Sequence, residues 1–174
     1  AVAVRMVQLG FETDRVIGIN AALKEFGGMA GWLFPVTAKI LAALPFAPTA
    51  FSANATEASV AKLLAGTGSK IDAEGQRHYL RLIKDTGHVS ATLSMMAQWD
   101  LKPLLRSFEK VACEVLLLAG ENDKTVLPST SIEAAKMMKN ARAEVLPGLG
   151  HLAHEEAPLS IAEQIKTAIN KTPG

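Results

Sequence analysis

Along this chain the apolar residues follow two rhythms. Arg15-Val-Ile-Gly-Ile-Asn20 and Glu114-Val-Leu-Leu-Leu-Ala119 are compact runs of strand length. The second has no polar break, as expected of a strand covered on both faces of a parallel sheet. Ala143-Glu-Val-Leu146 is a third short run. From about Leu23 to Trp99 the spacing is that of helices alone. Leu33, Val36, Ile40 and Leu44 share one helical face. A second helix is expected behind Asn54 as its cap, with Glu57 three residues on and Gly66 past its end. A third runs from Asp72 towards Lys84, and a fourth from about His88 to Trp99 with Val89, Leu93 and Met96 on one side. Ala1 to Gly10 reads as the end of a helix begun before the chain itself begins, closed by a left-handed Gly10. Further on, Thr130 with Glu133 predicts a capped helix. Pro158 opens a last one, with Ile161, Ile165, Ala168 and Ile169 on one side.

The order is strand, helical block, strand, helix, strand, helix, an α/β arrangement with a helical insertion between its first two strands. The chain then divides into 1–22, the first piece of the core; 23–110, a helical cap and the return to the core; and 111–174, the remaining core.

Composition narrows the function classes. The 174 residues suffice for one ordinary domain. With 18 basic and 17 acidic side chains there is no electrostatic footprint for nucleic acid. The single cysteine excludes an internal disulfide or a cysteine-cage zinc site and fits a reducing, cytoplasmic compartment. No signal-peptide pattern stands at Ala1–Gly10. The most apolar stretch, Ala30 to Phe51, has Lys39 as its only charge, but Pro35, Pro45 and Pro48 cut it. The pieces are shorter than the roughly 20 residues of a transmembrane span. No span is expected; an apolar helix packed in protein and one resting on a membrane surface both stay open.

Topology brings two loops together. In a strand–helix–strand unit both strands are parallel and end at the same edge of the sheet, about 4.8 Å apart. Gly120-Glu-Asn-Asp-Lys124 and Gly148-Leu-Gly-His151 therefore lie side by side at the carboxyl edge, where open α/β sheets bind ligands. An Asp that holds one imidazole nitrogen fixes the tautomer and leaves the other nitrogen free as a base. Asp123 and His151 suit those roles. A nucleophile is missing from the pair.

At these residues the sequence resembles the α/β-hydrolase family. Leu116-Leu-Leu-Ala-Gly-Glu-Asn-Asp123 is similar to the strand and turn that deliver that family's triad acid. Gly148-Leu-Gly-His151, followed by Glu155, Glu156 and Pro158, is similar to the turn carrying its histidine, and Val16-Ile-Gly-Ile-Asn20 to the strand entering its cap. One branch is resembled over nearly the whole chain, through Gly66-Thr-Gly-Ser-Lys-Ile-Asp72, Met95-Met-Ala-Gln-Trp-Asp100 and Gly148 to Glu156. That branch is the hydrolase-like accessory proteins of magnesium chelatase in bacteriochlorophyll synthesis. The resemblance implies a partial α/β-hydrolase fold, the last three strands of its parallel sheet with a helical cap insertion. It implies Asp123 and His151 as triad acid and base, Met96, Trp99, Val126 and Leu152 as contacts for a hydrophobic small molecule, and no cofactor. It makes magnesium chelatase a candidate partner. The family's Gly-x-Ser-x-Gly elbow precedes the segment matching Ala1 to Gly10, and no such motif occurs in this sequence. Either the chain is the carboxyl-terminal part of a longer hydrolase-like protein, or a full-length product starts here.

Each residue also has a plainer reading. Asp123 could cap a turn. His154 suits the surface, and His151-x-x-His154-Glu155 matches no zinc-protease order, so no metal is expected. Cys113 lies at the wrong end of its strand for catalysis. Gly66-Thr-Gly-Ser-Lys70 follows a helix and lacks the order of a phosphate loop, so it reads as a helix-ending turn. Met95, Met96 and Trp99 suit a core between helices. Three functions stay open: the acid–base half of a serine hydrolase, a non-catalytic accessory protein holding a hydrophobic ligand such as a porphyrin, and a domain with no activity of its own.

Overall fold

The computed structural model describes residues 1–24, 37, 39–41, 43, 44 and 46–170. These fall into two compact units. One is formed by Ala1–Lys24, Ala65–Lys70 and Leu101–Gly174, the other by Glu25–Leu64 and Ile71–Asp100.

The first unit holds a parallel sheet of β1 (Arg15–Ile19), β2 (Glu114–Gly120) and β3 (Ala141–Leu146), in that spatial order. Val16 pairs with Val115, and Leu118 stands between Ile19 and Glu144. The unbroken apolar run places β2 in the middle: Val115 to Ala119 are all buried. Successive residues of a strand point to opposite faces. Leu116 and Leu118 thus share a core with Leu146, Ala153, Ile161 and Ala168. Helix α7 (Pro128–Met137) packs on β2 and β3. Helices α8 (Ala153–Glu156) and α9 (Pro158–Asn170) follow β3. Before β1, α1 (Val2–Gln8) packs against α6 (Lys102–Leu105) and the 3-10 turn Phe108–Lys110.

The second unit is helical. It contains α2 (Ala47–Ala53), most of α3 (Glu57–Gly66), α4 (Ala73–Lys84) and α5 (Thr86–Ala97). Helices α2, α4 and α5 pack on one another. Asp72 and Asp85 cap α4 and α5, each carboxylate accepting the amide three residues on, at 2.7 and 3.0 Å. Among the described residues no helix is long and apolar enough to cross a membrane.

Several expectations need correction. The cap of α3 is Thr56, whose hydroxyl accepts the Ser59 amide at 3.1 Å while the Ser59 hydroxyl accepts the Thr56 amide. Asn54 instead donates back to the Ala50 carbonyl, closing α2. Gly66 belongs to α3, and the left-handed residue is Gly68 at φ +84°. Thr130 caps nothing: α7 starts at Pro128, whose fixed φ suits the first turn, and Thr130 is buried within it. Ile169 is 62 % exposed, so the buried side of α9 is Ile161 and Ala168. Of the apolar face of the first expected helix, Leu33 and Val36 lie outside the described residues, and Ile40 is exposed.

Candidate active site

The two loops at the carboxyl edge meet as parallel pairing requires. Asp123, three residues beyond β2, is buried, and its Oδ2 lies 2.8 Å from Nδ1 of His151. Its Oδ1 accepts the amides of Thr125 and Val126, both at 2.8 Å. Two backbone donors orient the carboxylate and stabilise its charge, leaving one oxygen for the imidazole. The His151 side chain is 26 % exposed. Its Nε2 meets no hydrogen-bond partner among the described residues. With Nδ1–H donating to Asp123, Nε2 carries the lone pair and can accept a proton.

A third segment that the sequence reading left as a helix-ending turn belongs to this site. Residues 65–70 fold with the sheet and lie against both loops. The Lys124 amide donates to the Thr67 carbonyl at 3.1 Å, and the Leu152 amide to the Ser69 hydroxyl at 2.8 Å. Glu156 ties the histidine loop to the same segment, accepting from the Gly150 amide at 2.8 Å and the Lys70 amide at 3.0 Å. Three glycines make the approach possible. A Cβ on Gly68 would stand 1.8 Å from the Asn122 carbonyl oxygen, one on Gly120 2.2 Å from that of Gly150, and one on Gly150 2.4 Å from the carbonyl carbon of Gly68. Real Cβ atoms do not come so close, so the junction requires glycine at all three points.

Of the residues suggested as ligand contacts, Val126 and Leu152 act here through their backbone: the Val126 amide holds Asp123 and the Leu152 amide holds Ser69. The Val126 side chain is buried and Leu152 half-buried. Met96 and Trp99 are half-buried in the helical unit. His154 is half-exposed, its Nε2 3.6 Å from Glu155. No group of three His, Cys, Asp or Glu side chains among the described residues could hold a metal ion. Burial pushes the Cys113 thiol above its ordinary range, against a smaller opposing backbone hydrogen bond. Asn20, Ser69 and Glu156 are the residues that sequence reasoning missed. The signal for them was indirect, a glycine in each of three loops that must meet.

Comparison with known proteins places this geometry. No protein-family model matches the sequence. The chain is 44 % identical over 154 residues to the Magnesium-chelatase 30 kDa subunit of Rhodobacter capsulatus, a match covering 87 % of this chain and 54 % of that protein. It thus spans about half of that relative's length. Among solved structures, an esterase from Exiguobacterium antarcticum superposes with a TM-score of 0.71 at 13 % identity, over 98 % of this chain and 63 % of the esterase. The α/β-hydrolase MGS-M2 from a Medee basin deep-sea metagenome library gives 0.72 at 12 %, over 99 % and 62 %. The chain is thus similar in sequence to part of the Magnesium-chelatase 30 kDa subunit, and its three-stranded parallel sheet with the helices around it is part of an α/β-hydrolase fold.

Proposed function

We propose that this chain carries the acid and base of a Ser-His-Asp hydrolase. Asp123 orients His151, and Nε2 removes the proton from a serine supplied by a segment outside these 174 residues. The serine then attacks an ester, amide or similar bond of a hydrophobic small molecule, in bacteriochlorophyll biosynthesis as the sequence resemblance implies. Val126 and Leu152, in the same unit as the pair, would contact that molecule. The observation that carries this reading is the 2.8 Å contact between a buried, doubly oriented carboxylate and an imidazole whose other nitrogen is free. A carboxylate that merely capped its turn would not need its second oxygen on a histidine 28 residues away.

The test is turnover of activated esters. The 174 residues alone should give none above background, since no Gly-x-Ser-x-Gly elbow occurs in them. A longer protein that includes a serine elbow should turn them over, and His151→Ala should cost it about 10⁶-fold. An intact elbow with no turnover would end the reading.

A second reading rests on the relative's name: a non-catalytic protein assisting magnesium chelatase by holding a porphyrin, in the cytoplasm or at a membrane surface. The low charge of residues 30–51 and the Met95–Met96 segment favour it. Porphyrin binding by fluorescence that survives His151→Ala, without ester turnover, would decide for it.

A further inference from the structure

Asn20 is the first residue after β1 and the only non-glycine at positive φ among the described residues, at +46°. Its amide donates to the Leu118 carbonyl at 2.8 Å, extending the ladder by one rung before the chain turns. Left-handed backbone is costly for most side chains and cheapest, after glycine, for Asn and Asp. Glycine at this point would satisfy the turn, so the turn alone does not explain an amide side chain.

The side chain reaches across the carboxyl edge. It is buried, at 6 % exposure, and all its polar capacity goes to the two loops of the site. Oδ1 accepts the Gly120 amide at 2.6 Å, at the root of the loop carrying Asp123. Nδ2 donates to the Gly150 carbonyl at 2.9 Å and to the carbonyl of His151 itself. The network fixes the amide orientation, because a backbone N–H needs the oxygen and two carbonyls need the two protons.

We propose that Asn20 is the positioning residue of the Asp123–His151 pair: one carboxamide sets the distance between the root of the acid's loop and the backbone of the base. The role rests on the hydrolytic reading of His151, and it acts through that residue without touching substrate. Aspartate at this position tolerates the same backbone but sets an oxygen against the Gly150 and His151 carbonyls. Glycine relieves the turn and removes the clamp.

Asn20→Asp and Asn20→Gly test this in the full chain, read by the ring-nitrogen resonances of His151 at mildly alkaline pH. The unvaried protein should show one tautomer, protonated at Nδ1. Both variants, folded by circular dichroism, should show a mixture with the Nε2–H form. A merely structural residue would lower the melting temperature and leave the ring on Nδ1; that result in either folded variant overturns the proposal. If neither variant folds, the unvaried protein supplies the measurement. In a mild urea titration the slow exchange of the Asn20 carboxamide protons should be lost together with the single tautomer. Loss of that protection with the tautomer intact overturns it equally. Where a longer, active protein is in hand, kcat should fall about 10²-fold with KM little changed. Absence of all ester turnover would defeat the hydrolytic reading without moving the ring measurement, so the two failures are separable.

Discussion

The two units are held together by different means. In the sheet unit, side-chain hydrogen bonds join residues far apart in sequence: Asn20 to Gly120, Ser69 to Leu152, Asp123 to His151. In the helical unit, those between Ser52 and Pro48, Asn54 and Ala50, Thr56 and Ser59, Asp72 and Gly75, Gln76 and Ile71, Asp85 and His88, and Gln98 and Ser94 span no more than five residues. The first pattern over-determines a geometry. The second closes individual helices, with Val60, Leu64 and Val89 buried among them but α4 burying nothing fully. A pair that must stay within hydrogen-bond reach sits where many distant groups agree. The residues suggested for ligand contact, Met96 and Trp99, sit where local rules leave room to adjust.

The difference should be largest at the glycine junction and in the sheet. Gly150→Ala drives a Cβ into the 68–69 backbone, and Leu118→Ala empties the centre of the core, where Leu118 is fully buried. Each should cost on the order of 3–5 kcal/mol in urea unfolding, a large part of a domain's stability. A matched truncation in the helical unit, Leu64→Ala at a side chain 3 % exposed, should cost less, about 2 kcal/mol, because helices held by local bonds can close on the gap. If the two truncations cost the same, the contrast between the units is wrong.

The open edge of the sheet sharpens the same contrast. Among the described residues β1 pairs only with β2, and its outer edge carries Val16, Ile17 and Ile19. The opposite edge, β3, displays Arg142 and Glu144, exposed charges of the kind that discourage strand pairing. The 174 residues alone should therefore self-associate through β1, as read by sedimentation. A monomer with a sharp melt and protected amides along Val16–Ile19 would show that the edge is covered.

How far the sequence disclosed this follows from the same division. Strands were legible because Val115–Ala119 is an unbroken apolar run and because a buried parallel strand has no other signature. The Asp123–His151 contact was legible because topology alone puts both loops at one edge. The caps were half legible. Asp72 marks the start of its helix in the sequence but its capping role does not show there, while Asn54 and Thr130 mislead because Thr56 and Pro128 offer equally good starts nearby. Asn20, Ser69 and Glu156 were not legible. Their partners lie 83 to 131 residues away, or depend on a loop conformation that glycines permit, and no local spacing encodes either.

The caps give a smaller prediction. Asp72→Ala and Asp85→Ala each remove one carboxylate from a helix start and should cost about 1 kcal/mol. Neither should disturb the ring resonances of His151, since each carboxylate bonds the first turn of its own helix. A changed ring tautomer in Asp72→Ala would mean that the helical unit reaches the site through residues 65–70, and the contrast would soften.

The smallest effect belongs to charge pairs on the surface of the sheet unit. Lys24 and Glu133 lie 2.6 Å apart with side chains 55 % and 52 % exposed. Water screens such a pair, and holding two long side chains in one geometry costs conformational freedom. Lys24→Ala should therefore shift stability by less than about 0.5 kcal/mol, and less still in high salt. Long sequence separation does not by itself make this contact strong. It joins two positions 109 residues apart, as distant as those that Asn20 links, yet both its ends are in water. If Lys24→Ala costs as much as losing a cap, separation in sequence would be the quantity that matters. If it costs little, burial is, and the strength of the Asp123–His151 junction comes from groups that have no water to turn to.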